Sequence, residues 1–441
     1  MKQGLRWVVM GFAGLLVAVV AIWAASRLWG VSSQQRAVLA QMRSEWKPVG
    51  RNAFDALWTL QHDVPVERQR AITEADANVM RGWPPFGTQA ANFRSGAAAY
   101  PDLKPEQADR DKLCMASKPG CLAMVSADIP GYAALVERNA KLIARVDALA
   151  GYDYIKLLLP ARVDTPLPAF VNAYLPATRD ALLFAQGRQQ EALANVCRSI
   201  ASWRRYSGNS NMLIASMVAT AYSTNGYGGL FADMLAAMPA DAPIPAQCHI
   251  ALAEVRPAEL SLCEAMKGEF AFGDNAMRGL ANSPSGETLR DSRIARRFLF
   301  DAEGTSAMIA SNMAAACGKP IEDLVARDIQ VRSMRGEHPW RDRFACIGNP
   351  VGCILSDIAA PAYMDYFHRR QDQGMKLKLL GTLLWLHEHP EPEAPLAERL
   401  RQRPAYLKSP SRDIGIGRDG KQLVIRLHEA SKDDWSQPLR P

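Results

Sequence analysis

The sequence predicts a mainly α-helical protein with an N-terminal transmembrane helix, an irregular array or bundle of helical hairpins, and a small C-terminal β hairpin. Three observations carry this: an uncharged run of twenty residues at Trp7–Ser26, apolar residues at helical spacing through most of the remaining chain, and strict alternation near the end. With 441 residues, 48% hydrophobic and 22% charged, the chain has enough apolar surface for a packed core, which excludes wholesale disorder or a fibre. The 52 basic and 45 acidic side chains leave a formal charge of +7, spread thinly; an anionic partner is compatible with it, and no nucleic-acid partner is expected.

The run WVVMGFAGLLVAVVAIWAAS spans roughly 30 Å as a helix, one hydrocarbon core. Trp7, Trp23 and Trp29 lie near its ends, where indole rings favour the headgroup boundary, and Lys2 and Arg6 flank it with positive charge. The expected organisation is a cytoplasmic tail over 1–6, an anchor in the lipid bilayer over 7–29, and a body on the far side. A cleaved signal peptide is the alternative. The apolar stretch exceeds the roughly 7–15 residues of such a core, and Ala24-Ala25-Ser26 is an imperfect cleavage site, so retention is favoured. The best later stretch, Leu377–Leu386, is interrupted by Lys378 and too short to span.

Charge does not settle orientation, because Lys2 and Arg6 compete with Arg27, Arg36 and Arg43 beyond the span. Cysteines favour one side. Of eight, Cys114 and Cys121 enclose MASKPG, and Cys346 and Cys353 enclose IGNPVG. Both inserts carry the Pro and Gly that turn a chain back, so each pair is expected to form a disulfide. Zinc ligands usually come in closer pairs, and neither CxxC nor HxxxH occurs. Paired spacing in an even count points to an oxidising compartment and hence a periplasmic body. For Cys197, Cys248, Cys263 and Cys317 three pairings stay open, as do buried thiols.

The body, 30–410, is read as helical. Two helices are expected over Gln34–Val64, broken at Pro48-Val49-Gly50, and one more over Val66–Met80. Gly82–Gly131 is rich in Pro and Gly and is expected to be irregular. Helices are then expected over Ala133–Leu149, over Phe170–Tyr206 with a turn at Gly187, over Met212–Tyr222 and over Leu230–Met238. Others are expected around Gln247–Val255, Ala258–Phe270, Glu287–Phe300, Thr305–Cys317, Asp357–His389 and Leu396–Leu407. From 411 to 441 the pattern changes. Ile414–Arg418 and Gln422–Leu427 alternate like strands about Asp419-Gly420, and two strands are marginal alone, so the hairpin must dock on helices or on a further strand.

No assembled chemistry is legible, and no catalytic, cofactor or metal residue is assigned. Gly415-Ile416-Gly417-Arg418-Asp419-Gly420 matches GxGxxG, but the KQLVIRL after it reads as a strand where a dinucleotide site needs a helix. His387 and His389 are two apart and point to different faces of a helix; a solvated helix end before Pro390 explains them better than a metal. His62, His249, His338 and His368 are isolated. Ser207 and Ser285 lack a visible base, and GxSxG, a P-loop and HExxH are absent from the sequence. Met212, Met217, Met234 and Met238 have the spacing of core rather than of a binding groove. Arg293, Arg296, Arg297, Arg369 and Arg370 read as solvated helix faces, with anionic lipid or peptidoglycan as the sharper alternative.

Ala181–Ile200, ALLFAQGRQQEALANVCRSI, resembles half of a tetratricopeptide unit, which implies a local helical hairpin; no 34-residue copy follows it. GRNAFDALWTLQHDVP at Gly50–Pro65 and NPVGCILSDIAAPAYMDYFHRRQD at Asn349–Asp372 resemble uncharacterised bacterial inner-membrane-anchored, predominantly helical proteins. That resemblance implies an inner-membrane location and a helical architecture, and brings no catalytic residues. The expected function is an envelope interaction or scaffold protein with a protein partner. A periplasmic hydrolase acting on envelope material is the alternative, its pocket shaped by Gly82–Gly131.

Overall fold

The computed structural model describes residues 2–84, 89–282, 298–333, 339–359, 363–391, 393–429 and 434–439. The apolar N-terminus forms α1 (Lys2–Trp29), whose Arg6–Trp29 portion has a mean hydropathy of 2.5 and is long and apolar enough to cross a membrane. Its central side chains are exposed. Gly30 ends it at φ 60°, the left-handed conformation that closes helices. Ser32 then starts α2 (Ser33–Met42) through a capping box, accepting from Gln35 N–H while the Gln35 side chain accepts from Ser32 N–H. Next come α3 (Phe54–Trp58) and α4 (Val66–Arg81), the latter opening after Pro65.

The segment expected to be irregular keeps short 3₁₀ turns and α5 (Gln107–Arg110), but regular structure resumes at α6 (Cys121–Ser126), before Gly131. Asp76 ties the excursion down, accepting from Trp58 Nε1 at 2.7 Å, Ser95 Oγ at 2.5 Å and Gly96 N–H at 2.9 Å. The single helix expected over Ala133–Leu149 is two, α7 (Ile129–Arg138) and α8 (Ala140–Asp147). They break at Asn139, whose buried amide donates to Asp109 at 3.0 Å.

A hairpin comes next, as the spacing predicts: α9 (Pro176–Ala185) and α10 (Gln189–Gly208) join at Gly187, φ 86°. Packed on α10 are α11 (Leu213–Ala221), α12 (Tyr227–Ala237) and α13 (Ala246–Ala251). A π turn, Tyr222–Gly226, links α11 to α12 and brings Gly226 so close to the Tyr174 ring that a Cβ would lie 2.7 Å from it. Beyond α14 (Cys263–Asn282), the helix expected over Glu287–Phe300 falls mostly outside the described residues. Then come α15 (Ala302–Met313), α16 (Lys319–Ala326), α17 (Pro339–Gly348) and α18 (Pro350–Ala359). The 25-residue α19 (Met364–Glu388) runs through the interior before α20 (Leu396–Gln402).

The main core joins Phe54 and Leu57 of α3, Ile200 of α10, Phe231 of α12 and Leu379 and Leu380 of α19. Two smaller clusters lie under α14: one holds Leu262, Met266 and Phe367, the other Leu39, Met42, Phe270 and Met313. Met212, Met217, Met234 and Met238 are all buried in these cores.

The chain closes on an antiparallel sheet of order β1-β2-β3: β1 (Gly415–Ile416), β2 (Gln422–Ile425) and β3 (Trp435–Pro438). Gly415 pairs with Val424 and Ile416 with Leu423; Asp419-Gly420 forms the turn, with Gly420 at φ 71°. The hairpin thus gains a third strand, which WSQP does not announce because three of its four residues are poor strand formers. Leu423 and Ile425 are buried, so the sheet docks on the helices through that face of β2.

All eight cysteines stand in pairs at disulfide distance: Cys114 with Cys121, Cys346 with Cys353, Cys197 with Cys248 and Cys263 with Cys317, at Cα separations of 4.6–5.6 Å. The second two join helices more than fifty residues apart, α10 to α13 and the start of α14 to the turn before α16.

Candidate functional site

Polar side chains converge most strongly where the C-terminal sheet meets α16 and α19. Arg412, just before β1, lies between two carboxylates, with Nη2 2.6 Å from Asp328 and Nη1 2.5 Å from Asp372. The side chains retain only 8%, 12% and 2% exposure respectively. Asp328 lies just past α16 with φ 54°, unusual for a residue with a Cβ, and this turn sends its carbonyl to Ser411 Oγ and His428 Nε2. Its carboxylate also accepts from Ser409 Oγ at 2.6 Å. Burial alone would raise the Asp328 carboxyl, but hydrogen bonds from His428 and Arg412, the Arg412 charge and Ser409 bring it down to about 2. Asp372 accepts the backbone N–H of His428 and of Glu429, so the clasp binds side chains and main chain together.

Beside this clasp, between α20 and β1, runs an open groove of about 760 Å³, lined among others by Leu400, Arg401, Lys408, Ile414 and Ile416. Arg403 and Arg412 also line it, but their guanidinium groups are engaged: Arg403 donates to Leu400 carbonyl and Asp413, and Arg412 to the clasp. Arg401 stands exposed at the rim with Lys408, whose Nζ donates to Arg401 carbonyl at 2.8 Å, and with Asp413 balanced by Arg403 the rim is basic. Gly417 N–H donates to Gln422 carbonyl at 2.8 Å, which makes Ile416–Leu423 the alternate, non-hydrogen-bonded pair. The Ile416 N–H and C=O therefore point away from β2, along the sheet edge that faces the groove.

A second, smaller cleft of about 290 Å³ lies at the end of α19, where Trp385, Tyr406, Glu254 and Glu388 meet His249. His249 Nε2 is 3.2 Å from Glu388, and both side chains remain substantially exposed. The His387-Glu388-His389 run is dispersed: His387 bonds Ala242 carbonyl, Glu388 faces His249, and His389 stacks on Trp385. Among the described residues no three His, Cys, Asp or Glu side chains are grouped to hold a metal ion.

A third polar cluster is sealed inside. Arg370, 1% exposed, donates to Thr220 Oγ1 at 3.0 Å, Gln373 Oε1 and Glu259 carbonyl. Gln373 in turn donates to Ser207 Oγ and Ser223 Oγ, both at 2.9 Å. The solvated face expected for Arg369 and Arg370 is thus corrected. Arg370 is fully buried, because α19 passes under α11, α12 and the π turn, while Arg369 bonds Glu429 at 3.0 Å. Burial pushes the Arg370 guanidinium down, and its ligands are neutral oxygens.

The remaining candidates are scattered. The GxGxxG text forms the β1–β2 turn; His62 pairs its backbone with Asp102, and His368 Nε2 bonds Val331 carbonyl at 2.8 Å. Ser285, Arg293, Arg296, Arg297 and His338 lie outside the described residues. Asp328, Asp372, Arg412 and Ile416 were missed from sequence; Asp328 and Asp372 lie 84 and 40 residues from Arg412, and no spacing rule joins them.

One buried carboxyl outside these sites gives a pH signature. Asp180, fully buried, is pushed up to about 7 by burial, which the neighbouring Arg179 only partly offsets. Its folded-state pKa lies above the unfolded value near 4, so the folded protein holds an extra proton between about pH 4 and 7. This group's contribution to stability is full below pH 4 and falls as pH rises to 7, by about 1.4 kcal/mol per unit at mid-window. Urea unfolding of Asp180→Asn across pH 4–8 is expected to lack that decline and to exceed wild type above pH 7. An unchanged slope would reassign the proton.

No protein-family model matches the chain, and comparison with curated proteins and with solved structures finds no match.

Proposed function

We propose that this is a single-pass membrane protein whose body lies in the bacterial periplasm and works as an envelope interaction protein, capturing an extended acidic segment of a partner along the edge of β1. The reading of compartment is supported by the apolar helix α1 together with eight cysteines in four pairs, which persist where thiols are not kept reduced. The anchor crosses the inner membrane over 7–29, and a reporter fused after Pro441 is expected to be active only on the periplasmic side.

The observation that carries the interaction role is the open groove itself: a sheet edge with outward main-chain groups at Ile416, apolar walls at Leu400 and Ile414, and a basic rim at Arg401 and Lys408. An added strand would take its main-chain hydrogen bonds from that edge, and its acidic side chains would meet the rim. The clasp under the groove holds β1 in place without being spent on the partner.

A photo-crosslinking side chain placed at Arg401 in intact membranes is expected to trap one reproducible protein partner. Ile416→Pro removes the outward N–H at a position that β2 does not use, so it is expected to abolish that adduct while leaving thermal stability nearly unchanged. An adduct that survives Ile416→Pro, or none from wild type, would overturn the assignment. The envelope hydrolase reading, expected to use a pocket shaped by Gly82–Gly131, finds its support elsewhere, in the Trp385–Tyr406 cleft, where an aromatic wall and two carboxylates suit a sugar ring.

A further inference from the structure

The C-terminal end of α1 is not a free stalk. Trp23 packs against Phe298 with tilted rings, centroids 5.3 Å apart, and donates its Nε1–H to Phe298 carbonyl at 3.0 Å. Ser26 Oγ donates to Phe344 carbonyl at 2.6 Å and accepts from Gly348 N–H at 2.9 Å. Arg27, the first charge after the apolar run, donates to Gly348 carbonyl at 3.0 Å and Phe300 carbonyl at 2.8 Å. Trp29 packs edge-on against Phe344. Gly348 eases this approach, since a Cβ there would lie 3.0 Å from both Arg27 N and Ser26 Oγ, tighter than ordinary contact. The body is therefore fixed to α1 at the height of Trp23, which lies about 4.5 Å inside the end of the uncharged run at 1.5 Å per residue.

The surface beside that junction is apolar. Phe298 (45%), Leu299 (41%), Ile347 (44%), Val351 (37%) and Ile354 (60%) are exposed there, outside the core. Ile347 lies in the last turn of α17, and Val351 and Ile354 share one face of α18 at i, i+3 spacing. The corner between the two helices is rigid: Asn349, buried, accepts from Asp301 N–H at 2.9 Å and Gly352 N–H at 3.2 Å, and donates to Thr305 Oγ1 at 3.0 Å. The Cys346–Cys353 pair closes the same corner.

We propose that the α17–α18 hairpin, with Phe298 and Leu299, is a monotopic wedge that inserts into the body-side leaflet of the membrane that α1 crosses. This rests on reading α1 as a membrane span. Its occupant is lipid because Phe298 and α17 pack on the apolar helix at the height of Trp23, α18 follows α17 directly at the Asn349 corner, and an interfacial helix buries such a face at the headgroup boundary. The consequence is orientation. A single helix lets its body swivel, whereas a helix and a wedge fix it, presenting the β1 groove at one height and angle.

The test uses the full-length protein in vesicles of phosphatidylethanolamine and phosphatidylglycerol, with a benzoylphenylalanine at one position at a time and adducts read by mass spectrometry. Val17, in the middle of α1, Ile354 and Ile250, which is 69% exposed on α13, are the three sites. The expected result is lipid adducts at Val17 and Ile354 and none at Ile250. Adducts at Val17 alone overturn the wedge and leave the anchor standing; a protein adduct at Ile354 in native membranes, with no lipid, assigns the patch to a partner and overturns it too. Loss of the adduct at Val17 refutes the span itself.

Discussion

Replacing Arg412 by alanine is expected to destabilise the body by about 3–5 kcal/mol, the usual cost of leaving one side of a buried ion pair uncompensated. Here two carboxylates lose their partner together, Asp328 and Asp372, at 12% and 2% exposure. Urea unfolding at pH 7 measures the loss. Acid provides an internal control with a known sign. The Asp328 carboxyl is held well below its unfolded value, so its stabilisation is complete above about pH 4 and is lost as pH falls from about 4 towards 2. The gap between wild type and Arg412→Ala is therefore expected to narrow over that window, opposite in direction to the Asp180 effect. A variant within 1 kcal/mol of wild type at pH 7 would show that the clasp is ornamental, and the β1 groove would lose its rigid floor.

The second large effect lies in the long cysteine links. Cys197 and Cys248, both fully buried, enclose a separation of 51 residues, and joining them restricts the unfolded chain far more than the seven-residue separation of Cys114–Cys121. By the chain-entropy estimate the paired change Cys197→Ala with Cys248→Ala costs about 4 kcal/mol, against about 2.5 kcal/mol for Cys114→Ala with Cys121→Ala. Non-reducing urea melts of the two variants are expected to keep that order. Equal midpoints for wild type and the 197/248 variant, or free thiols at these positions in native material, would remove both this link and the compartment built on it.

What local patterning controls was legible in the order of the residues. Trp7–Ser26 marks α1 because an uninterrupted apolar run needs no tertiary help to be helical, and Gly187 marks the α9–α10 hairpin because a turn with positive φ suits glycine. Two cysteine pairs are suggested by short inserts carrying Pro and Gly. The division of α7 from α8 was not legible. Asn139 leaves the helix to satisfy Asp109, thirty residues away, and neither residue alone signals that bond.

The same limit governs the candidate site. Arg369 and Arg370 are adjacent and chemically identical, yet one stays partly exposed as it reaches the buried Glu429 and the other is sealed among Thr220, Gln373 and Glu259 carbonyl. Which side of α19 is wrapped by α11 and α12 decides this, and periodicity shows only that a helix forms. Asp328, Asp372, Arg412 and Ile416 become a clasp and an open edge only when α16, α19 and the C-terminal sheet are brought together. Most of the helices, the apolar N-terminal segment and the short cysteine cassettes could be read along the chain, because each arises from interactions within a few residues. The groove, the long cysteine links and the face beside Trp23 were decided by tertiary structure alone, because charge pairing and solvent exclusion act through space and leave no period in the chain.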